Sequence, residues 1–263
     1  MKTILERARA GECLADLDII DMHGHVGRYQ SPVVDLSAEG LIRVMDRLGV
    51  KKLFLSHIQC EAMHAREGND ELMAILRAYP DRLLGYVILF PWSAAEVAAE
   101  MKRCLAGGFT GLKLENVNGH SYLNPAYAGA FALANEQRLP ILLHTWGGAQ
   151  NEFAEIRELT VRYPESPFLL AHAGAMGMAD QYIALARERA NVYLDLALSA
   201  TPPDLVERLV AGVGADRVIY GSDCFFLSMT YAIGKVFGSR IPDEDKLKIL
   251  SRNARRILGG IRT

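Results

Sequence analysis

Eight short apolar runs, each followed by a helical pattern, recur along this chain at a spacing of roughly thirty residues, the rhythm of βαβ crossovers. The runs are Asp18–His23, Lys52–His57, Leu84–Leu89, Gly111–Leu114, Ile141–His144, Phe168–His172, Val192–Asp195 and Val218–Gly221. Each is rich in Val, Ile, Leu or aromatic residues, as strands buried on both faces of a parallel sheet are. Ser37 caps a helix running to Leu48, with Leu41, Val44, Met45 and Leu48 on one face and Leu41, Val44 and Leu48 assigned to the core. A second helix runs from Asn69 to Tyr79, where Pro80 stops it. Ser93-Ala94-Ala95-Glu96 has the form of a capping box, and Asn124-Pro125 supplies an N-cap with proline at the first helical position. Asn151–Tyr163, Met178–Ala190 and Pro203–Ala211 follow, and Asp243–Leu258 closes the series in two pieces.

No linker or composition shift divides these units. They predict an α/β chain folded as a single (β/α)8 TIM barrel over residues 1–263, with 1–17 as an N-terminal extension. An open doubly wound sheet is the rival. It usually has fewer strands and often a Gly-rich phosphate loop after the first, whereas here the first strand ends in histidines.

Composition narrows the function classes. The 29 basic and 31 acidic residues leave a net charge of −2, with no basic tract or acidic tail, which counts against nucleic acid or a membrane as partner. The first stretch carries Lys2, Glu6, Arg7, Arg9, Glu12, Asp16 and Asp18, unlike a signal peptide, and no apolar run reaches transmembrane length. Cys13, Cys60, Cys104 and Cys224 are scattered without a CxxC, which suits a reducing compartment. The expectation is a soluble, cytoplasmic protein.

Barrel active sites lie at the C-terminal ends of the strands. Asp21-Met22-His23-Gly24-His25 ends the first run. Alternation along a strand puts Asp21, His23 and His25 on one face, so both imidazoles can reach one metal ion, and Gly24 allows close approach. His57 ends the second strand, Lys113 and Glu115 flank the end of the fourth, His144 ends the fifth, His172 the sixth and Asp195 the seventh. Asp223 follows the eighth, while His64 and His120 fall in loops and have weaker claims. Two or three histidines plus a carboxylate, with an open coordination position, make a hydrolytic metal site. Such an ion polarises a carbonyl and lowers the pKa of bound water to about 7. A nearby carboxylate can accept the water's proton and return it to the leaving group.

Other positions stay open at this level. Asp21 either orients a histidine or stabilises the barrel interior, and Asp195 serves either structure or site. Cys224 reads as a small packing residue rather than a nucleophile. Arg28, Tyr29, His57 and Trp146 are candidates for substrate contact. Phe225-Phe226-Leu227-Ser228-Met229 is either a lid or the subunit contact of a homo-oligomer.

Asp21-Met22-His23-Gly24-His25, Gly111-Leu112-Lys113-Leu114, Leu143-His144, Ala171-His172-Ala173-Gly174 and Gly221-Ser222-Asp223 together resemble the amidohydrolase superfamily, in particular its amidohydrolase-2 branch of metal-dependent hydrolases. The closing Asn253-Ala254-Arg255-Arg256-Ile257-Leu258 also resembles that branch, and the likeness spans essentially the whole chain. The resemblance implies that His23, His25 and His144 ligate the metal, with Asp223 as a further ligand and proton shuttle. It implies that His172 orients the attacking water, stabilises the transition state, or joins the ligands if a second metal binds. Lys113 is carbamylated and bridging in two-metal relatives, while others use a glutamate in this region; here Lys113 and Glu115 lie on one strand face, where they pair with each other, bind substrate or bridge metals. We expect one divalent ion, Zn2+, with Lys113 near an anionic group of the substrate; a binuclear site is the alternative. The implied activity is hydrolysis of a small amide, lactone or related carboxylic compound. The same branch contains non-oxidative decarboxylases of small aromatic acids, which is the second reading; a non-catalytic metal-binding barrel is the third.

Overall fold

The computed structural model describes residues 2–27, 37–61, 64–116, 119–146, 152–198 and 201–262. All eight expected strands form: β1 (Ile19–Val26), β2 (Val50–His57), β3 (Leu83–Ile88), β4 (Gly111–Leu114), β5 (Ile141–Leu143), β6 (Phe168–Leu170), β7 (Val192–Asp195) and β8 (Val218–Ile219). They pair in chain order and in parallel. The segment after β8 returns to β1: Met22 N–H donates to Tyr220 O at 3.0 Å, and Asp223 N–H donates to His23 O at 2.8 Å. The result is a (β/α)8 barrel, with eight strands enclosed by helices.

The helices are α1 (Ile4–Arg9), α2 (Ala38–Leu48), α3 (Ala65–Ala78), α4 (Ala94–Ala106), α5 (Ala128–Gln137), α6 (Glu152–Arg162), α7 (Ala179–Glu188), α8 (Leu205–Val213), α9 (Met229–Gly238), α10 (Asp243–Leu247) and α11 (Asn253–Gly259). The expected caps are made. Ser37 accepts from Gly40 N–H, Ser93 from Glu96 N–H, and Asn124 from Ala126 N–H. The last helical stretch is interrupted by a π turn, Lys248–Arg252, between α10 and α11. Helices α1 and α9 were not expected. Helix α1 is short, and α9 carries Gly234 and Gly238, which weaken its pattern.

Two apolar layers follow from the strand alternation. The larger, between strands and helices, includes Leu53, Leu55, Val87, Leu112, Leu143, Leu170 and Leu194. The smaller fills the barrel with Ile20, Met22, Phe54, Tyr86, Leu142, Leu169, Ala171 and Ile219, and takes Ala254 and Ile257 from α11. Val44 corrects the expectation for α2. Ala38, Leu41 and Met45 form its buried stripe, while Val44 is 39% exposed. It sits beside Arg43 and Arg47 on the rim of a groove shared with Phe225, Leu227 and Met229. No helix among the described residues is long and apolar enough to cross a membrane.

Ile257 is nearly fully buried in the interior layer. Ile257→Ala is expected to cost about 2–4 kcal/mol of folding stability through the cavity it leaves. Urea unfolding checks this; an unchanged midpoint would show that α11 does not close the barrel.

Candidate metal centre

His23 and His25 stand at the mouth of the barrel because β1 contains an irregularity. Asp21 pairs with Leu53, but Gly24 pairs with Leu55, so three steps on β1 oppose two on β2. This is the signature of a β-bulge. It places Asp21 on the side of Leu53, in the outer layer, and His25 on the side of Ser56, facing inward. The expectation that Asp21 shares a face with both histidines is therefore corrected. Asp21 instead braces backbone, accepting from His23 N–H at 3.1 Å and Ser222 N–H at 3.0 Å. Gly24 packs tightly: a Cβ there would meet Cys224 Sγ and Leu53 Cδ1 at 2.9 Å. At Gly221 a Cβ would collide with Asp195 Oδ1 and approach His23 Cβ to 2.8 Å. Only glycine lets the two ends of the seam come this close.

Each histidine of the pair has one ring nitrogen engaged behind it. His23 Nδ1–H donates to Asp195 Oδ2 at 2.6 Å, and His25 Nδ1 lies 3.1 Å from Ser56 Oγ. Their Nε2 atoms meet at Asp223 Oδ1, 3.5 Å from His23 and 3.1 Å from His25. His23, His25 and Asp223 offer ligand atoms all within 4.8 Å of one another. Hydrogen-bonded partners behind metal-binding imidazoles fix their tautomer and aim.

The electrostatics fit a divalent ion. Burial holds His23 well below its ordinary pKa, lowers that of His144, and brings His172 down to about 4. All three are neutral at pH 7, the form that ligates metal. Asp21, Asp195, Asp223 and Glu115 are buried in or just behind the site, with Lys113 as the buried ammonium among them. Burial pushes the Asp21 carboxyl up to about 7, and raises Asp195 strongly, with Asp21 and Asp223 adding to the rise. A cation on the Nε2 face of His23 would relieve this excess of acid. Two imidazoles and a carboxylate are a donor set for such an ion.

The remaining expected residues divide. His172 and His144 line the same cavity, together with His25, Glu115, Asp223, Trp146, Phe226 and Leu227; its volume is about 370 Å³. His172 lies 4.0 Å from Asp223 Oδ2 through Nδ1, and that nitrogen donates to Ala197 O. His144 Nδ1 is 3.4 Å from Glu115 Oε2, outside the three-residue cluster of ligand atoms. Trp146 is 45% exposed, stacks on His144 and meets the His172 ring edge-on. His172 and Asp223 both have left-handed backbones, φ 56° and 58°. For non-glycine residues this is strained geometry, of the kind that clusters at active sites.

Lys113 is fully buried between Glu115 Oε1 at 3.2 Å and His23 Nε2 at 3.3 Å, and is not among the residues that line the cavity. Of the alternatives for the two residues, the pairing of Lys113 with Glu115 is made. His57 is displaced from the site. It lies in the outer layer, where its Nε2 faces Glu71 at 3.1 Å and its Nδ1 accepts from Gln59 N–H. Arg28 and Tyr29 lie outside the described residues. Cys224 is buried with its thiol pKa raised by desolvation, as a packing residue would be.

Sequence reasoning did not single out Ser56, or the carbonyl of Ala197. Ser56 was findable: strand alternation makes it, not His57, the inward residue at the tip of β2. The apolar stretch after β8 contributes Phe226 and Leu227 to the cavity wall, with the Phe226 ring 5.1 Å from that of His25.

The sequence profile of the amidohydrolase family matches residues 20–260. The chain belongs to that family. No curated protein matches this amidohydrolase sequence. Among solved structures, a 2,6-dihydroxybenzoate decarboxylase complexed with 2,6-dihydroxybenzoate is similar, with 17% identity and a TM-score of 0.75 over 92% of this chain and 98% of its own. The dihydroxybenzoic acid decarboxylase from Polaromonas sp. JS666, with bound manganese and the inhibitor 2-nitroresorcinol, has 17% identity and a TM-score of 0.71 over 92% and 96%. A probable 2-pyrone-4,6-dicarboxylic acid hydrolase from Acinetobacter baumannii with citric acid bound has 14% identity and a TM-score of 0.70 over 92% and 99%. At these identities the shared property is the fold.

Two outcomes are expected. Asp195→Asn is predicted to weaken divalent-metal affinity roughly 10–100-fold. Competition with a chromophoric chelator measures it, and unchanged affinity would remove Asp195 from the site. The stability that His172 contributes to the metal-free protein should fall on acidification. The native pKa of His172 is about 4 while the unfolded ring titrates near the ordinary imidazole value of 6.5, so between these values the unfolded state binds more protons at this ring. His57 and His144 shift in the same direction. The His172 contribution is therefore full above 6.5 and is lost as pH drops toward 4, while the raised Asp21 and Asp195 carboxyls act in the opposite direction over the same range. The contribution is read as the difference in denaturant midpoint between the wild type and His172→Gln; a difference that does not change across that window would contradict the buried neutral state.

Proposed function

We propose that this amidohydrolase-family barrel is a metal-dependent hydrolase that adds water to a small amide, lactone or related carboxylic substrate. The disposition of Asp223 carries the reading. Its Oδ1 joins the His23–His25 cluster, while its Oδ2 lies 4.0 Å from Nδ1 of His172 and the residue lines the cavity. One carboxylate thus serves both the ligand cluster and the cavity that a substrate would enter.

His23, His25 and Asp223 would hold a divalent ion, which when bound polarises a carbonyl and acidifies water. His144 is a further ligand candidate from the cavity wall. Asp223 Oδ2 accepts the proton of the attacking water and returns it to the leaving group. His172 is neutral and spends its one N–H on Ala197 O, so its Nε2 offers only a lone pair. That suits orienting a water molecule and does not suit donating to an oxyanion. Trp146 and Phe226 supply apolar walls to a cavity of a size suited to a small molecule.

Decarboxylation of a small aromatic acid is the second reading, favoured by those two aromatic walls. Among the described residues the cavity lining offers Glu115 and Asp223 but no ammonium or guanidinium to meet the acid's carboxylate. The solved relative with bound manganese supports a divalent ion in this fold, and the donor set here accepts zinc or manganese. We take zinc as the ion and one site per chain.

The test is a panel of lactones, amides and aromatic acids offered to metal-loaded protein in ¹⁸O-water. Hydrolysis puts one ¹⁸O into the acid product, and Asp223→Asn lowers kcat by about 10²-fold or more. Release of CO2 without ¹⁸O uptake would replace this reading with the second.

A further inference from the structure

Lys235 is out of place for a lysine on a surface helix. Its neighbours Tyr231 and Gly234 on α9 are exposed, yet its ammonium turns inward. There it donates to two main-chain carbonyls, Leu196 O at 2.7 Å and Leu198 O. Among the described residues no carboxylate lies within ion-pair distance of it. The exposed Tyr231 ring covers its other side, 5.9 Å from Nζ. Desolvation brings its pKa down to about 8, with Asp195 acting against the shift. Withdrawing an ammonium from water costs stability, offset here by its hydrogen bonds to the two carbonyls.

The segment it holds is the one that orients the site. Leu196, Ala197 and Leu198 follow β7 directly and are buried. The outer two present their carbonyls to Lys235, and the carbonyl between them, that of Ala197, accepts the Nδ1–H of His172. The Ala197 N–H donates to Asp195 Oδ1 at 3.0 Å, and the other oxygen of Asp195 holds His23. Leu196 N–H is tied to Ile219 O of β8 at 3.2 Å. Sheet bonds therefore fix the near end of this segment, and Lys235 fixes its carbonyls from outside.

We propose that Lys235 is a positioning residue of the site, clamping Leu196 and Leu198 so that the Ala197 carbonyl sets the tautomer and aim of the His172 ring. The assignment rests on His172 belonging to the site, and is independent of whether hydrolysis or decarboxylation takes place there.

The test uses full-length zinc-loaded protein and reads the ring directly. The Nδ1 proton of His172 is followed by NMR and identified by its loss in His172→Gln. In Lys235→Met that proton should exchange with water at least about tenfold faster, as expected when one buried hydrogen bond loses its support. Zinc content should stay at the wild-type level, and Lys235→Arg, which keeps a donor and the charge, should restore slow exchange. Any substrate found in the ¹⁸O panel adds a second readout: kcat falls about tenfold with KM changed less than about twofold. Unchanged exchange in Lys235→Met overturns the proposal, even if the variant is less stable. If Lys235→Met does not fold, Lys235→Gln is read in the same way, and failure of both to fold makes the lysine a requirement of the barrel instead. A panel with no turnover leaves the NMR arm intact, so failure of the proposed reaction is distinguished from failure of the clamp.

Discussion

The seam between the segment after β8 and β1 is the constraint on which the rest of this protein depends. A parallel sheet can stay open; this one closes because Tyr220–Cys224 bonds back to Met22–His25. The contacts that close it also assemble the site. His23 O accepts from the Ser222 and Asp223 amides, and Asp21 accepts from Ser222 and His23, so the histidine pair and the Asp223 carboxylate are neighbours through the backbone. Gly24 and Gly221 are the two places where a side chain would force the seam apart. The contacts that close the barrel are, in this chain, those that bring His23, His25 and Asp223 together.

Closure concentrates charge where water is scarce. The site gathers Asp21, Asp195, Asp223 and Glu115, and answers them with one buried lysine. Lys113 bridges Glu115 and His23 from within the barrel, so part of the compensation is internal. The rest is suited to a divalent ion at the mouth. Lys113 is engaged in the low-dielectric interior, where leaving a carboxylate unpaired is costly. Trp146 and Phe226 are the large partly exposed side chains of the cavity wall.

Much of this was legible one residue at a time. His23, His25, His144, His172 and Asp223 all reach one cavity or its ligand cluster because each follows an apolar run, and a barrel turns every such tip the same way. The failures have equally local causes. His57 was preferred to Ser56 because histidine is the more reactive residue, but strand parity decides which of two adjacent residues faces in. Asp21 was grouped with the histidines because regular alternation was assumed across a bulge. Val44 fits the helical period of α2 yet lies on the edge of the stripe, where packing against the segment after β8 stops short.

The sequence by itself determined the eightfold strand–helix rhythm and the histidines and acids at the strand ends. These follow from local patterns of apolar burial, whereas closure of the sheet rests on the bonds from Tyr220–Cys224 back to Met22–His25. Only the tertiary structure decided which acid supports which histidine. Asp195 is 172 residues from His23, Ser56 is 31 from His25, and the Ala197 carbonyl is 25 from His172. Those partnerships depend on register, on a one-residue bulge and on the hand of each turn. They are set by how the strands meet, to within a few tenths of an ångström, and no periodicity in the chain records them.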